Sequence, residues 1–90
     1  MAELIHEHST PIKTPDGLRF AARTYGEERP GGTWVGWIEF TRIDDAAAGP
    51  VLRTERETTQ PNRQAVEYWA AGLEPVYLWG AFERAQVVTI

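Results

Sequence analysis

The stretch TERETTQPNRQAVEYWAAGL, residues 54–73, decides the predicted fold because it contains one amphipathic helix with identifiable ends. Thr58 and Thr59 are suitable N-cap residues, since a hydroxyl accepts a hydrogen bond from a free N–H of the first turn. Pro61 is tolerated in that turn because it lacks an N–H and its φ is already fixed. We expect the helix to end at Gly72 in a left-handed conformation.

The apolar residues of this helix recur at the spacing of a single helical face. Pro75, soon after the helix, forbids its continuation. A helix with one apolar face must be covered by another layer of the fold. The residues of that face are Ala65, Val66, Trp69, Ala70 and Leu73.

Three extended segments before the helix supply the predicted covering layer. LRFAARTY (18–25) and TWVGWIEFTRI (33–43) alternate between apolar and polar residues, as half-buried strands do, and VLRTERET (51–58) continues the pattern. The glycine-rich segment 26–32 is predicted to join the first two strands, and the segment 44–50 to join the second and third. One predicted sheet face is apolar and carries Leu18, Phe20, Ala22, Trp34, Ile38, Phe40 and Leu52.

The two ends of the chain give less regular patterns. Residues 1–17 contain two prolines and a Pro-Asp-Gly turn, and we expect them to form a flexible arm before a single domain at 18–90. Residues 76–82 fit a strand, which we favour over a second helix opening at Pro75, and 86–90 fit a short final strand. The predicted class is therefore α+β, with an antiparallel sheet of three to four strands in the order β-β-β-α-β and one amphipathic helix packed on one face.

Composition narrows the possible functions. The formal net charge is −4 and the pI is about 5.1, which disfavours nucleic acid as the main partner because phosphate binding needs clustered Lys and Arg. The chain has no cysteine, so it has no disulfide and no thiolate nucleophile. No apolar run approaches the ~20 residues that span a bilayer. We therefore expect a cytoplasmic protein that does not bind membranes.

The order strand, strand, strand, helix, strand, with a Thr-rich step into the helix, resembles the N-terminal domain of HicB-type antitoxins over residues 18–73. The matching pieces are LRFAARTY, GGTWVGWIEF and TERETTQPNRQAVEYWAAGL. The Pro-Asp-x-Pro-Gly segment and the Gly-Asp-Thr helix entry of that family are replaced here by TRIDDAAAGP and by Arg56-Glu57-Thr58. No helix-turn-helix or ribbon-helix-helix pattern follows within these 90 residues. The resemblance implies a small non-enzymatic module that binds another protein.

The polar face of the predicted sheet holds the candidate binding residues. A lone tryptophan among charged side chains, Trp37, is either packed under arginine stems or an anchor for a partner. We expect this face or a sheet edge to contact another protein or a second copy of the chain. The predicted partner-binding residues are Arg19, Arg23, Tyr25, Val35, Trp37, Glu39, Arg53 and Arg56.

Two other clusters were considered and assigned ordinary structural roles. His6-Glu7-His8 contains metal-ligand types without a distant third ligand, so we expect no metal site and no cofactor. Arg56 and Thr58 could direct an anion to the helix N-terminus, but the charges from Arg53 to Glu57 are more simply explained by cross-strand ion pairs.

Three functions remain as hypotheses. The first is a non-enzymatic protein-interaction or regulatory module, antitoxin-like or a subunit of an assembly. The second is a nucleic-acid-associated regulator that uses arginines and Trp37 on the sheet. The third is an accessory subunit of an enzyme, which lacks support because no nucleophile or acid–base pair is apparent.

Overall fold

The computed structural model describes residues 1–44 and 49–88, which form a seven-stranded antiparallel sheet and two helices. The elements in chain order are β1 (Glu3–Glu7), β2 (Ile12–Lys13), β3 (Arg19–Glu28), β4 (Trp34–Arg42), β5 (Leu52–Arg53), β6 (Thr58–Gln60), α1 (Arg63–Ala71), α2 (Pro75–Arg84) and β7 (Gln86–Val87). The α+β class is confirmed, but the predicted three to four strands and one helix are too few. Residues 45–48 of the predicted second connection and the last two residues of the predicted final strand lie outside the described residues.

The hairpin of β3 and β4 is the centre of the sheet. The two strands pair from Phe20 opposite Arg42 to Glu28 opposite Trp34, as their alternating patterns predicted. Gly31 and Gly32 have φ values of 95° and 92°, a conformation that glycine adopts without steric cost. The hairpin therefore closes at a turn that side chains would strain.

The arm predicted for residues 1–17 is replaced by two edge strands. Strand β1 pairs antiparallel with β3, with a bulge between Leu4 and His6, and β2 pairs Ile12 with Phe20. Ile12 is buried in the core. The apolar residues of this segment do not recur with a sustained period, so the sequence alone did not indicate strands. The segment becomes extended because it pairs with the long neighbouring strand β3.

The predicted third strand at 51–58 is split into β5 and β6, which both pair with β4. At the break, the Thr54 N–H donates to the Ile38 carbonyl at 3.0 Å, and the Thr54 hydroxyl accepts from the Ile38 N–H at 3.1 Å. The Glu57 N–H then donates to the Gly36 carbonyl at 2.8 Å. Residues 54–57 thus lie opposite only two residues of β4, Trp37 and Ile38, which makes this segment a bulge. The three hydrogen bonds keep the backbone groups of β4 paired across it.

Helix α1 carries the predicted apolar face but begins later than expected. Its N-cap is Asn62, whose Oδ1 accepts from the Ala65 N–H at 2.8 Å, whereas Thr58 and Thr59 lie in β6. The helix ends at Gly72 as predicted, although that residue has φ −90° and is not left-handed. Thr58, Thr59 and Asn62 are all suitable N-cap residues. Thr58 and Thr59 belong to β6, which pairs with β4, so Asn62 is the one that caps the helix.

Residues 75–84 form helix α2, so the strand favoured for 76–82 is wrong. Pro75 occupies the first turn, and the Tyr77 and Leu78 N–H groups donate to the Glu74 carbonyl. Leu78 and Ala81 are buried at a spacing of one helical turn, which a strand would place on opposite faces. The apolar core of the sheet selects the helical alternative.

Both helices lie on the face of the sheet that was predicted to be apolar. Phe20, Ala22, Ile38 and Phe40 of that face are buried and form one cluster with Leu78 and Ala81 of α2. Val66 and Ala70 of α1 are buried as well. Within residues 1–44 and 49–88, neither helix has the length and hydropathy that crossing a bilayer requires.

We predict that Asn62→Ala lowers the free energy of unfolding by about 1 kcal/mol, because it removes the side-chain acceptor of the α1 N-terminus. Thr59→Ala is the matched control, since Thr59 is exposed and caps no helix, and we expect a change below about 0.5 kcal/mol. Urea denaturation followed by circular dichroism measures both. Equal effects of the two substitutions would contradict the assignment of the cap.

We predict that Gly36→Ala lowers the free energy of unfolding by about 1–3 kcal/mol through overpacking. A Cβ at Gly36 would lie 3.1 Å from Thr58 Cγ2 and 3.2 Å from Val66 Cγ1, and Val66 is fully buried. Gly72→Ala is the control because its Cβ would meet only ordinary contacts at 3.7 Å or more. Thermal and urea unfolding measure the stability of both variants. A Gly36→Ala protein as stable as Gly72→Ala would refute the prediction.

Candidate functional site

The face of the sheet opposite the helices, here called the open face, contains every predicted partner-binding residue. The registers place Arg23 opposite Glu39 and Tyr25 opposite Trp37, with Arg53 opposite Glu39 on the next strand. Side chains of these positions alternate with the buried core positions and so point away from α1 and α2. The predicted set is Arg19, Arg23, Tyr25, Val35, Trp37, Glu39, Arg53 and Arg56.

Trp37 is the centre of the open face, but it is not an exposed anchor. Its ring stacks on Tyr25 with centroids 6.5 Å apart, and the Arg53 guanidinium carbon lies 5.6 Å from the ring centroid. The indole N–H donates to Glu39 Oε2 at 3.0 Å, and Arg53 Nη1 lies 3.8 Å from the same oxygen. Only 8 % of Trp37 is exposed. The structure therefore shows Trp37 under an arginine, which was one of the two interpretations of the sequence, and contact of Trp37 with a partner stays a prediction.

A cavity of about 300 Å³ lies beside Trp37 on the open face. Three arginines line it: Arg29 from the β3–β4 turn, Arg53 from β5 and Arg56 from the bulge between β5 and β6. Val35 forms part of its lining and is buried. Arg56 is exposed and makes no ion pair with any residue of the described ranges, so its charge is available to a ligand.

The remaining predicted residues of the open face do not line this cavity. Arg23 donates to Glu7 Oε1 at 2.9 Å and to the Thr41 hydroxyl at 2.9 Å, and Arg19 is exposed. The predicted cross-strand pairing of Arg53 with Glu39 is present. Arg29 was not among the predicted residues, because it lies in a turn, where the alternation of a strand assigns no face.

The charge of the open face is opposite in sign to that of the whole chain. Basic side chains outnumber acidic ones among the described residues of this face, whereas the formal net charge of the chain is −4. The acidic side chains of this face are Glu7, Glu27, Glu39 and Glu55, and the basic ones are Lys13, Arg19, Arg23, Arg29, Arg53 and Arg56.

The anion site considered for Arg56 and Thr58 at a helix N-terminus does not form. Arg56 lines the open-face cavity, whereas the Thr58 methyl packs over Gly36 on the helix-covered face. The intervening Glu57 accepts from the Tyr77 hydroxyl at 2.5 Å and from Arg84 at 2.6 Å, which ties the bulge to α2. Burial and the hydrogen bond to Glu57 raise the pKa of Tyr77 to about 12.

Alternation along the N-terminal segment places Glu7 on one side of the sheet and both His6 and His8 on the other. Glu7 turns to the open face and binds Arg23, while the His6 and His8 rings meet edge to face with centroids 4.8 Å apart. His8 Nε2 lies 2.8 Å from the hydroxyl of the buried Thr24. Burial, with a smaller contribution from His6, lowers the pKa of His8 to about 4. Over the described part of the chain, no three His, Asp or Glu side chains are grouped for a metal ion.

Comparison of the chain with protein-family models, with curated proteins and with solved structures finds no match.

We predict that His8 makes the fold less stable as the pH falls from about 6.5 towards 4. The unfolded chain protonates His8 before the folded protein does, so the free energy of unfolding decreases across this window and is fully retained above it. The expected loss at pH 5 is about 1–2 kcal/mol, since one pKa unit corresponds to about 1.4 kcal/mol.

Urea denaturation of the wild type and of His8→Asn at pH 7.5 and pH 5 measures this loss. Because the carboxylates contribute equally to both proteins, the difference between their pH dependences is the contribution of His8. The asparagine amide can still bond to the Thr24 hydroxyl. An identical decrease in both proteins would show that His8 is not responsible.

Proposed function

We propose that this protein is a small non-enzymatic interaction module that binds an acidic segment of another protein on its open face. The observation that carries the proposal is a cavity lined by three arginines and two glutamates, on a face where basic side chains outnumber acidic ones in an otherwise acidic chain. A partner that is complementary in charge is steered to such a face and held in register there.

Acidic side chains suit this face better than nucleotide bases do. Guanidinium groups bind carboxylates through paired N–H donors, and Arg29, Arg53 and Arg56 approach one cavity from three different segments. Binding of single-stranded nucleic acid relies on exposed aromatic rings that stack on bases. Here Trp37 is covered by Arg53, so the aromatic platform of the nucleic-acid hypothesis is occupied.

An antitoxin-like role is the more specific form of the proposal, because the resemblance to HicB-type antitoxins implies capture of another protein. We place this activity in the cytoplasm, in keeping with a chain that has no cysteine. The open face then acts as the recognition surface, and the helix-covered side supplies the stability of the module.

The first test uses a fluorophore-labelled poly-glutamate peptide as the probe and fluorescence anisotropy as the measurement. We predict binding that weakens with added salt and falls by roughly two- to fivefold in Arg56→Gln, the range expected for one exposed charge contact. Arg56 has no ion pair with a described residue, so its loss leaves the fold intact. Arg63→Gln removes the same charge from α1 and serves as the control.

Poly-lysine of the same length and a single-stranded oligonucleotide are the competing probes. Equal binding of poly-glutamate and poly-lysine, or equal losses in Arg56→Gln and Arg63→Gln, would contradict the proposal. Tighter binding of the oligonucleotide with the same dependence on Arg56 would instead support the nucleic-acid hypothesis.

A further inference from the structure

A second surface, separate from the open face, lies where strand β6 meets helix α1. A cavity of about 620 Å³, here called the β6 groove, lies along Gln60 of β6 and one flank of α1, where Gln64, Tyr68 and Trp69 line it. All of the residues that line it are uncharged. In a chain with 24 % charged residues, a neutral lining with two aromatic rings has the composition of an interface core.

The edge of β6 is open to pairing. Strand β6 pairs with β4 on one side, and no described strand pairs with its other side. An unpaired edge presents backbone N–H and C=O groups that recruit another strand unless charge or proline protects it. Thr58–Gln60 contains neither, and Pro61 directly after it limits the length that can pair.

Strand β1, at the opposite edge of the sheet, is protected from pairing by charged side chains. Strand β1 carries Glu3 and Glu7, which form ion pairs with Arg63 and Arg23. These carboxylates would meet each other if two copies paired there. Strand β7 is also an uncharged edge, but the cavity beside it is lined by Arg53, Glu55 and Arg84, whereas β6 adjoins a groove without charges. The neutral surroundings therefore favour β6 as the edge on which this chain can accept a neighbour.

The neutral lining favours a second copy as the occupant of the β6 groove. A symmetric contact places each surface on itself, so a charged surface would repel its own copy. Two copies of a chain with net charge −4 also repel each other overall, and a neutral patch is where that repulsion is least. Tyr68, with 85 % of its surface exposed, stands beside a groove that can receive the same ring from a partner.

We propose that the protein forms a symmetric homodimer in which the β6 edges of two copies pair antiparallel and Tyr68 of each copy packs into the β6 groove of the other. Because β6 has only three residues, most of the buried area comes from α1 and its aromatic side chains. The dimer joins two sheets into one and leaves both open faces available. This inference does not depend on the function proposed above.

Sedimentation equilibrium over a wide range of protein concentration tests the dimer. We expect the wild type to be dimeric and Tyr68→Glu to raise the dissociation constant by at least about tenfold, since the substitution places two carboxylates near the symmetry axis. Val76→Glu is the matched control because Val76 is 75 % exposed on α2 and does not line the groove. Circular dichroism verifies that both variants are folded.

Amide hydrogen exchange provides the second measurement, which follows the backbone directly. We expect protection of Thr58–Gln60 to increase with protein concentration in the wild type and not in Tyr68→Glu. A wild type that is monomeric at every concentration overturns the homodimer, as does a dimer that persists in Tyr68→Glu.

Other occupants of the groove have distinct signatures. A monomeric wild type whose co-purified partner is lost in Tyr68→Glu would assign the groove to a different protein and overturn the homodimer. Poly-glutamate binding by Tyr68→Glu is expected to match the wild type, because the open face is untouched. Loss of the dimer in Tyr68→Glu therefore leaves the proposed function to be judged by its own test.

Discussion

Strand β4 is covered on both of its faces, and the rest of the molecule follows from how the two covers differ. On one face Ile38 and Phe40 are fully buried against two helices. On the other face Val35 and Trp37 are buried although no helix or second sheet lies over them. Trp37 is covered by neighbouring side chains of the sheet, the guanidinium of Arg53 and the stacked ring of Tyr25.

This second cover would serve both the stability of the fold and the recognition proposed above. The Arg53 guanidinium contacts the Trp37 ring while its other side faces the open cavity, because a planar cation can stack on an aromatic ring and still donate N–H bonds outward. Glu39 holds the indole N–H and lies within ion-pair distance of Arg53. A carboxylate from a partner would meet an arginine that is already oriented, which reduces the entropic cost of binding.

The bulge between β5 and β6 supplies the second constraint. Thr54 satisfies both backbone groups of Ile38, because its N–H donates to the Ile38 carbonyl and its hydroxyl accepts from the Ile38 N–H, so β4 keeps its hydrogen bonds at the point where the extra residues loop out. The bulge carries Arg56 to the open-face cavity and turns Glu57 towards Tyr77 and Arg84 of α2. One irregularity thus completes the cavity on one side of the sheet and secures the second helix on the other.

Sequence by itself determined which residues of the long segments share one face of the sheet or of the helix. Alternation over β3 and β4 and the spacing of Val66, Trp69 and Ala70 each span enough residues to fix a period, and those assignments agree with the structure. The same alternation grouped Tyr25, Trp37, Glu39 and Arg53 on one face. The position of Arg29 could not be predicted in this way, because residues in a turn do not alternate between two faces.

Only the tertiary structure decided the short segments. The strands of residues 1–17 become regular by pairing with β3, and 76–82 become helical because Leu78 and Ala81 can then both reach Phe20 and Phe40. The choice of Asn62 over Thr58 and Thr59 as the cap follows from the pairing of β6 with β4. In each case local preferences are nearly balanced, so contacts between residues distant in sequence supply the free energy that selects one conformation.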